Sequence, residues 1–170
     1  MATVDQKIMN CLWFDSEAEE AATFYTSIFS NSRIGQVSRY GKEGFEFHGK
    51  PEGSAMVVSF YLEGQEFLAL NGGPLFKFNE SISLIINCKD QEELDHFWNK
   101  LTEGGLEQPC GWLKDKFGLS WQVTSSDWKE MMSDPDKTKV ARAMNALFTM
   151  KKPDIAVLRA AFNGTENNKK

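Results

Sequence analysis

The stretch CGWLKDKFGLSWQVT, at residues 110–124, decides the fold that we predict for this chain. Its pattern predicts two short strands joined by a tight turn, in which Gly118 supplies a positive φ and Asp115 bonds back to its own backbone. Apolar and polar side chains alternate along the second strand, so one face packs on a core while the other face is polar. If that polar face borders a cavity, Gln122 is its main candidate binding residue.

The overall composition predicts a soluble globular protein and excludes two classes of partner. A net charge of −5 over 170 residues disfavours nucleic acid, because neutralising phosphates needs clustered Lys and Arg. No apolar run has the length of a membrane span, and the N-terminus lacks the pattern of a signal peptide. The widely spaced Cys11, Cys88 and Cys110 predict buried, reduced thiols in a cytoplasmic protein, since no close cysteine pair suggests a zinc site.

The first half of the chain predicts a strand, a helix and three further strands. An apolar run at residues 8–14 predicts a strand buried on both faces, and Asp15 or Ser16 is expected to cap the helix that follows. After a strand at 33–40 and a glycine-rich loop, two strands around Glu63-Gly64 predict a hairpin.

The second half repeats this order of elements. A buried strand is predicted at residues 81–88, then a helix capped by Asp90, then the hairpin described above. We therefore predict an α+β protein in which residues 1–125 form one domain of two βαβββ modules, at about 7–72 and 80–125. A helical extension at 126–164 is expected to pack on it, followed by a disordered tail at 165–170.

Three stretches carry a resemblance to a known family: LWFDSEAEEAATFYTSIF (12–29), ISLIINCKDQEELDHFWNKLTEGG (82–105) and CGWLKDKFGLSWQV (110–123). They resemble the PhnB-like branch of the vicinal-oxygen-chelate superfamily, the glyoxalase/bleomycin resistance/dioxygenase group. This branch is historically labelled 3-demethylubiquinone-9 3-methyltransferase. The resemblance implies that the two modules pair into a cupped mixed sheet and that the chain is a homodimer.

The methyltransferase label implies a cofactor site for which the sequence offers no support. Enzymes that use S-adenosylmethionine commonly have a Gly-rich turn between the first strand and a helix. Here the first strand runs into Asp15-Ser16, and Gly72-Gly73-Pro74 follows a hairpin strand instead. We therefore predict no site for that cofactor.

The resemblance also implies four positions that point into the cup, and here they are Asn10, Asn71, Ser81 and Gln122. None is a histidine or a carboxylate, whereas tight sites for divalent metals use imidazole, thiolate or carboxylate ligands. We therefore predict no cofactor, with a weakly held divalent metal as the alternative. His48 and His96 are predicted to lie on the surface.

The same strand parity extends the predicted lining of the cup. It places Leu12, Phe14 and Ser120 beside the four positions above, and Trp112 is expected to close one side. This lining suits a small, largely uncharged and partly apolar ligand. The alternative is that these side chains fill a solid core.

Three classes of function remain open from the sequence. The first is a small-molecule-binding protein without a tightly held metal. The second is an enzyme of the same superfamily, either a metal-assisted lyase or isomerase or the methyltransferase of the historical label, although no catalytic residue can be assigned. The third is a dimeric structural or interaction module with a decayed site. The apolar stripes of the C-terminal helices suggest this class.

Overall fold

The structure is a computed structural model, which describes residues 6–165. The chain divides into two compact units, at residues 1–78 and 79–170, and each unit holds one four-stranded mixed sheet. The predicted α+β class is therefore confirmed. Of the tail predicted to be disordered, residues 166–170 lie outside the described residues.

The first unit is a βαβββ module with one extra helical turn. Its elements are β1 (Asn10–Phe14), α1 (Ala18–Ile28), β2 (Ser32–Arg39), α2 (Phe45–His48), β3 (Ala55–Leu62) and β4 (Gln65–Asn71). The strand order is β1-β4-β3-β2, with β1 parallel to β4 and the other neighbours antiparallel.

The second unit repeats the module and adds the C-terminal helices. Its elements are β5 (Leu84–Cys88), α3 (Gln91–Thr102), β6 (Leu106–Glu107), β7 (Trp112–Lys114), β8 (Ser120–Ser125), α4 (Trp128–Ser133), α5 (Lys137–Phe148) and α6 (Ile155–Asn163). The strand order is β5-β8-β7-β6, again with one parallel pair, β5 with β8. The predicted repetition and the predicted helical extension are both confirmed.

The β7–β8 hairpin forms around one buried carboxylate. Asp115, only 3% exposed, accepts hydrogen bonds from the backbone N–H of Phe117 (2.9 Å) and of Leu119 (3.1 Å). Its other oxygen accepts from the indole Nε1 of Trp121 at 2.8 Å. Gly118 adopts the predicted positive φ of 85°. A single side chain thus ties the turn to the buried core of the module.

A helix covers one face of each sheet. In the first unit, Tyr25 of α1 stacks on Phe60, and Phe60 stacks on Phe67 of the neighbouring strand. In the second unit, Trp98 of α3 donates its indole N–H to Glu107, which is paired in register with Leu113. We call these the α1 face and the α3 face, and the other side of each sheet its opposite face.

The two modules begin their helices in different ways. The prediction that Asp15 or Ser16 caps α1 is wrong, because Glu17 occupies the N-cap position without a side-chain capping bond. Instead, the Oδ1 of Asn71, at the end of β4, accepts from the backbone N–H of Ala18 at 2.8 Å. In α3 the predicted cap is confirmed, since Asp90 accepts from the N–H of Glu93.

The prediction that the first strand is buried on both faces is wrong, and the strand predicted as buried at 81–88 is buried on one face only. In β1 only alternate residues are buried, and Ile8, which lies before the strand, is 84% exposed. In β5, Ile86 and Cys88 are buried while Ile85 is 57% exposed. Each strand thus packs only one side on a helix. Because apolar residues occur on both sides of the strand, the sequence does not show which side faces the core.

The C-terminal helices form a small core of their own around Met131, Ala143 and Leu158. The segment between α5 and α6 joins them to the second module, where Cys110 donates its N–H to the carbonyl of Met150 at 2.8 Å. Ile155 donates its N–H to the side chain of Gln91, in α3, at 2.9 Å. Within residues 6–165, no helix combines the length and the apolar character that a membrane span requires.

Candidate functional site

The opposite face of the second sheet gathers three of the predicted site residues. In the strand register, Trp112 pairs with Gln122, and Lys114 pairs with Ser120. Directly paired residues point to the same side of a sheet, and Ser120 and Gln122 are two residues apart in one strand. Trp112, Ser120 and Gln122 therefore share one face, as the alternation in the sequence predicts.

Gln122 is held in place by a serine that the sequence argument missed. Its Nε2 donates to the Oγ of Ser83, just before β5, at 2.9 Å. The predicted site residue Ser81 lies instead in an exposed turn, where its backbone N–H and hydroxyl both donate to the side chain of Asn79. The prediction of a strand beginning at Ser81 is wrong because β5 begins at Leu84. The alternation of serines and isoleucines in this stretch was the signal for Ser83.

Ser120 is the most unusual residue of this face. Its side chain is fully buried, at 0% exposure. Among the described residues, its Oγ has no hydrogen-bond partner. A serine hydroxyl can donate one hydrogen bond and accept two, and a buried polar group without a partner costs about 1–3 kcal/mol. The face therefore contains a fixed polar atom whose hydrogen-bonding capacity is unused.

A charged pair borders Ser120. The Nζ of Lys114 lies 2.7 Å from Oε1 of Glu80, and Gln108 donates to the same oxygen at 3.3 Å. The hydrogen bond from Lys114, above all, lowers the pKa of Glu80, with further hydrogen bonds from its own backbone and from Gln108. Glu80 is therefore ionised near neutral pH, and its ion pair with Lys114 adds no net charge to the face. No sequence signal links Glu80 to Lys114, because their contact is set by the path of the loop before β5.

In the first unit, four predicted site residues lie on the face that bears the helix. The register pairs Asn10 with Phe67, Leu12 with Ala69 and Phe14 with Asn71. Phe67 lies on the α1 face, so all four predicted residues, which are Asn10, Leu12, Phe14 and Asn71, lie there too. The prediction that they line a cavity on the other side is wrong by one position in strand parity, which reverses every side chain.

Asn71 has a structural task that explains its burial. It is 5% exposed, its Oδ1 accepts from Ala18 as described above, and its Nδ2 donates to the carbonyl of Ala55 at 3.0 Å. Both ends of its amide are thus engaged, the oxygen with the start of α1 and the nitrogen with β3.

On the opposite face of the first sheet, the part formed by the β1–β4 ladder is apolar. This part presents Cys11, Trp13, Leu68 and Leu70. Trp13 donates its indole N–H to the carbonyl of Gly73 at 2.8 Å, and a Cβ on Gly72 would lie 2.2 Å from the Trp13 ring. Gly72 therefore allows close packing against Trp13, and the carbonyl of Gly73 accepts the hydrogen bond of the indole.

The donor set of the second face does not fit a tightly bound metal. Gln122, Ser83 and Ser120 offer neutral oxygens and an amide nitrogen, whereas tight sites need imidazole, thiolate or carboxylate ligands. Residues 6–165 contain no group of three or more His, Cys, Asp or Glu side chains suited to holding a metal ion. His96 is exposed as predicted, and His48 is half-buried against the ring of Tyr40.

The thiols differ from the prediction that all three are buried. Cys88 is buried, and Cys11 is exposed. Burial, followed by the nearby charges of Glu93 and Asp90, raises the pKa of Cys88 to about 12. Because the thiolate is the nucleophile, Cys88 is not a candidate for nucleophilic chemistry near neutral pH.

Comparisons with known proteins cover most of the chain. A family model described as 3-demethylubiquinone-9 3-methyltransferase matches residues 6–124. A PhnB protein from Bacillus cereus, described as a candidate 3-demethylubiquinone-9 3-methyltransferase, is 37% identical with a TM-score of 0.63. The match covers 71% of this chain and 99% of that one.

More distant solved structures are also similar. Protein PA1353 from Pseudomonas aeruginosa is 19% identical with a TM-score of 0.56, over 71% of this chain and 98% of its own. A protein from Bacillus cereus described as a possible glyoxalase is 13% identical with a TM-score of 0.42, over 69% and 98% respectively. No curated protein matches the chain.

Proposed function

Because the chain belongs to the 3-demethylubiquinone-9 3-methyltransferase family, whose model spans residues 6–124, we propose that it binds a small, largely uncharged organic molecule. The ligand lies on the opposite face of the second sheet, against Trp112, Ser120 and Gln122. It is held without a tightly bound metal ion.

The observation that carries this proposal is the unused hydroxyl of Ser120. It is fully buried, and within the described residues nothing bonds to it. Because this hydroxyl has no exposed surface, a ligand carbonyl or hydroxyl reaches it by displacing the side chains that cover it, and the contact then removes the cost of an unsatisfied buried group.

The neighbouring residues favour a neutral, partly apolar ligand. Trp112, half-buried beside Gln122, offers a flat apolar surface, and the amide of Gln122 offers a donor and an acceptor. The Lys114–Glu80 pair is internally neutralised, so no uncompensated charge calls for a charged ligand. A few fixed polar groups on an apolar wall are typical of small-molecule sites.

The first test compares ligand binding by the natural chain with ligand binding by the Ser120→Ala variant. Neutral aromatic and quinone-like compounds are screened by thermal shift, and hits are measured by calorimetry. Removing an unsatisfied hydroxyl should leave the free protein as stable as before or slightly more stable. It should weaken the best ligand by about 3- to 10-fold, the equivalent of one neutral hydrogen bond.

Ser59→Ala is the matched control, since the Oγ of Ser59, on the first sheet, accepts from the backbone N–H of Gln36 at 2.8 Å. This variant should lose stability and keep its ligand affinity. If no neutral compound stabilises the protein, or if Ser120→Ala binds unchanged, the proposal fails. A stoichiometric transition metal in protein purified without chelator would instead favour the metal-assisted enzyme.

We also propose that the chain acts in the cytoplasm as a homodimer. The family resemblance supports the dimer, and the reduced thiols support the cytoplasm. Sedimentation at micromolar concentration tests the dimer, and a monomer would contradict it.

A further inference from the structure

A second unsatisfied polar atom belongs to the sheet on which the ligand is proposed to lie. Among residues 6–165, two buried side-chain atoms have no hydrogen-bond partner, the Oγ of Ser120 and the Oε1 of Gln108. Native proteins leave few buried polar atoms in this state. Because both atoms belong to one four-stranded sheet, a shared role in binding explains them better than two separate packing defects.

The strand register places the side chain of Gln108 on the same face as Ser120. Gln108 directly follows β6, and its backbone N–H donates to the carbonyl of Trp112 at 2.9 Å, which continues the β6–β7 pairing by one residue. The preceding residue, Glu107, points towards α3, where it accepts from the indole of Trp98. Successive side chains of a strand alternate between its faces, so Gln108 lies with Trp112 on the opposite face of the sheet.

Glu80 orients the amide of Gln108. The Nε2 of Gln108 donates to Oε1 of Glu80 at 3.3 Å, and Lys114 contacts the same oxygen at 2.7 Å. Because the hydrogen bond from Lys114 lowers the pKa of Glu80, this carboxyl is ionised near neutral pH and has no proton to donate. It therefore accepts only from the nitrogen end of the amide, and turning the amide over would bring two acceptors together. The oxygen end of Gln108 is thus fixed as the end without a partner.

The two unsatisfied atoms differ in what they can bond. The hydroxyl of Ser120 can donate and accept, whereas the Oε1 of Gln108 can only accept. Lys114 lies between them, since it pairs with Ser120 in the sheet and shares Glu80 with Gln108. A ligand with acceptors alone satisfies the serine and leaves the glutamine oxygen without a partner. A ligand that also carries an O–H or N–H group satisfies both atoms.

We propose that the ligand of this face carries a hydrogen-bond donor, an O–H or N–H group, and that Gln108 selects for it by accepting through Oε1. This inference rests on the function proposed above and narrows its ligand class to neutral molecules with a donor as well as an acceptor oxygen. The Oε1 atom is buried, so the ligand donor reaches it by displacing the side chains that cover it, as at Ser120. Gln108 is thus a specificity-determining residue of the site.

The probes are 4-methoxyphenol and 1,4-dimethoxybenzene, which share a ring and a methoxy oxygen. Only 4-methoxyphenol has a donor, because a second methoxy group replaces the O–H in the other compound. Both affinities are measured by calorimetry on the full chain. The ether also carries an extra methyl group, so the informative quantity is how the ratio of the two affinities changes between variants.

The test variant is Gln108→Met, which removes the amide but keeps the length of the side chain. We expect it to reduce the preference for 4-methoxyphenol by about 3- to 10-fold, the equivalent of one neutral hydrogen bond, mainly by weakening the phenol. Ser120→Ala is the control on the same face. It should weaken both probes by a similar factor and leave their ratio unchanged, since the serine hydroxyl can donate to the methoxy oxygen of either.

Gln91→Met is the matched glutamine control, because both ends of the Gln91 amide are engaged. Its Nε2 donates to Asp95 and to the carbonyl of Pro153, and its Oε1 accepts from the N–H of Ile155. This variant should lose stability and keep both affinities. A fall in the ratio that accompanies any loss of stability would appear here as well as in Gln108→Met.

An unchanged ratio in Gln108→Met, with both probes still weakened by Ser120→Ala, would overturn this inference and leave the proposed function standing. An equal fall of the ratio in Gln108→Met and in either control would overturn it too, because the selection would then not belong to Gln108. Absence of binding by both probes would also overturn it, and the wider screen would then decide the proposed function by itself.

Discussion

The two βαβββ modules share a topology but differ in what their sheets present away from the helix. In the first module, the β1–β4 ladder shows Cys11, Trp13, Leu68 and Leu70 on its opposite face. In the second module, the corresponding face carries Ser120 and Gln122, with Lys114 on the neighbouring strand. The β1–β4 ladder of the first module thus presents apolar side chains on this face, whereas the second module presents the hydrogen-bonding groups of Ser120 and Gln122.

The comparison can be made residue by residue because both modules contain a parallel ladder of five residue pairs. When the two ladders are aligned, Leu68 occupies the position equivalent to Gln122, and Asn71 occupies the position equivalent to Ser125. The position equivalent to Gln122 is therefore apolar in the first module. Its polar residue, Asn71, faces α1 and supports the start of that helix. Gln122 and Asn71 thus occupy different positions of the ladder, Gln122 on the opposite face of the second sheet and Asn71 on the α1 face of the first.

The largest expected effect comes from the turn of the second module. Asp115→Ala should leave three buried or half-buried N–H groups without their carboxylate and lower the free energy of unfolding by about 3–5 kcal/mol. Urea unfolding followed by tryptophan fluorescence measures the change.

The equivalent turn of the first module supplies the control. Glu63 is exposed in the β3–β4 turn, and Glu63→Ala should change stability by no more than about 0.5 kcal/mol. Equal effects of the two variants would show that the hairpins are held in the same way, contrary to the comparison.

A smaller difference is expected at the helix starts. Asn71→Ala removes one hydrogen bond to the start of α1 and one to β3 and should cost about 1–3 kcal/mol, whereas Asp90→Ala removes a local cap and should cost about 1 kcal/mol. Thermal unfolding of both variants compares them. If Asp90→Ala costs more, the first helix does not depend on Asn71 in the way described here.

The reactivity of the cysteine thiols tests which face of its sheet each cysteine occupies, and this test needs no change in stability. Cys11, exposed on the opposite face of the first sheet, should react with a disulfide reagent in the folded protein. Cys88 lies on the α3 face with its pKa raised to about 12, so it stays protonated below that pH and should react only after unfolding. A Cys11→Ser variant identifies the fast thiol, and rapid labelling of Cys88 in the folded chain would contradict the assigned faces.

The family and the order of elements were accessible from the sequence. The resemblance to the PhnB-like branch is confirmed by the family model and by the Bacillus cereus protein. The Asp115–Gly118 turn, the cap at Asp90 and the parity of β8 were predicted correctly, because each depends on residues close together in the chain.

The errors arise where the local pattern is ambiguous or where a contact joins distant parts of the chain. Both faces of β1 carry apolar side chains, so its periodicity could not show which face meets α1, and the four residues of the first module were placed on the wrong side. The strand containing Ser81 was extended three residues too far because its apolar alternation continues into the turn before β5. Ser83 and Glu80 were missed since their partners, Gln122 and Lys114, come from distant strands.

By itself, the sequence determined the two modules, their hairpin turns, the C-terminal helices and the family, because turn chemistry and hydrophobic spacing act over a few residues. Only the tertiary structure decided which face of each sheet meets its helix, that Asn71 supports α1, and that the hydroxyl of Ser120 is buried with no hydrogen-bond partner among residues 6–165. These features arise from pairings between strands that are far apart in the chain. Where a strand carries apolar side chains on both faces, its local pattern does not determine which face meets the helix.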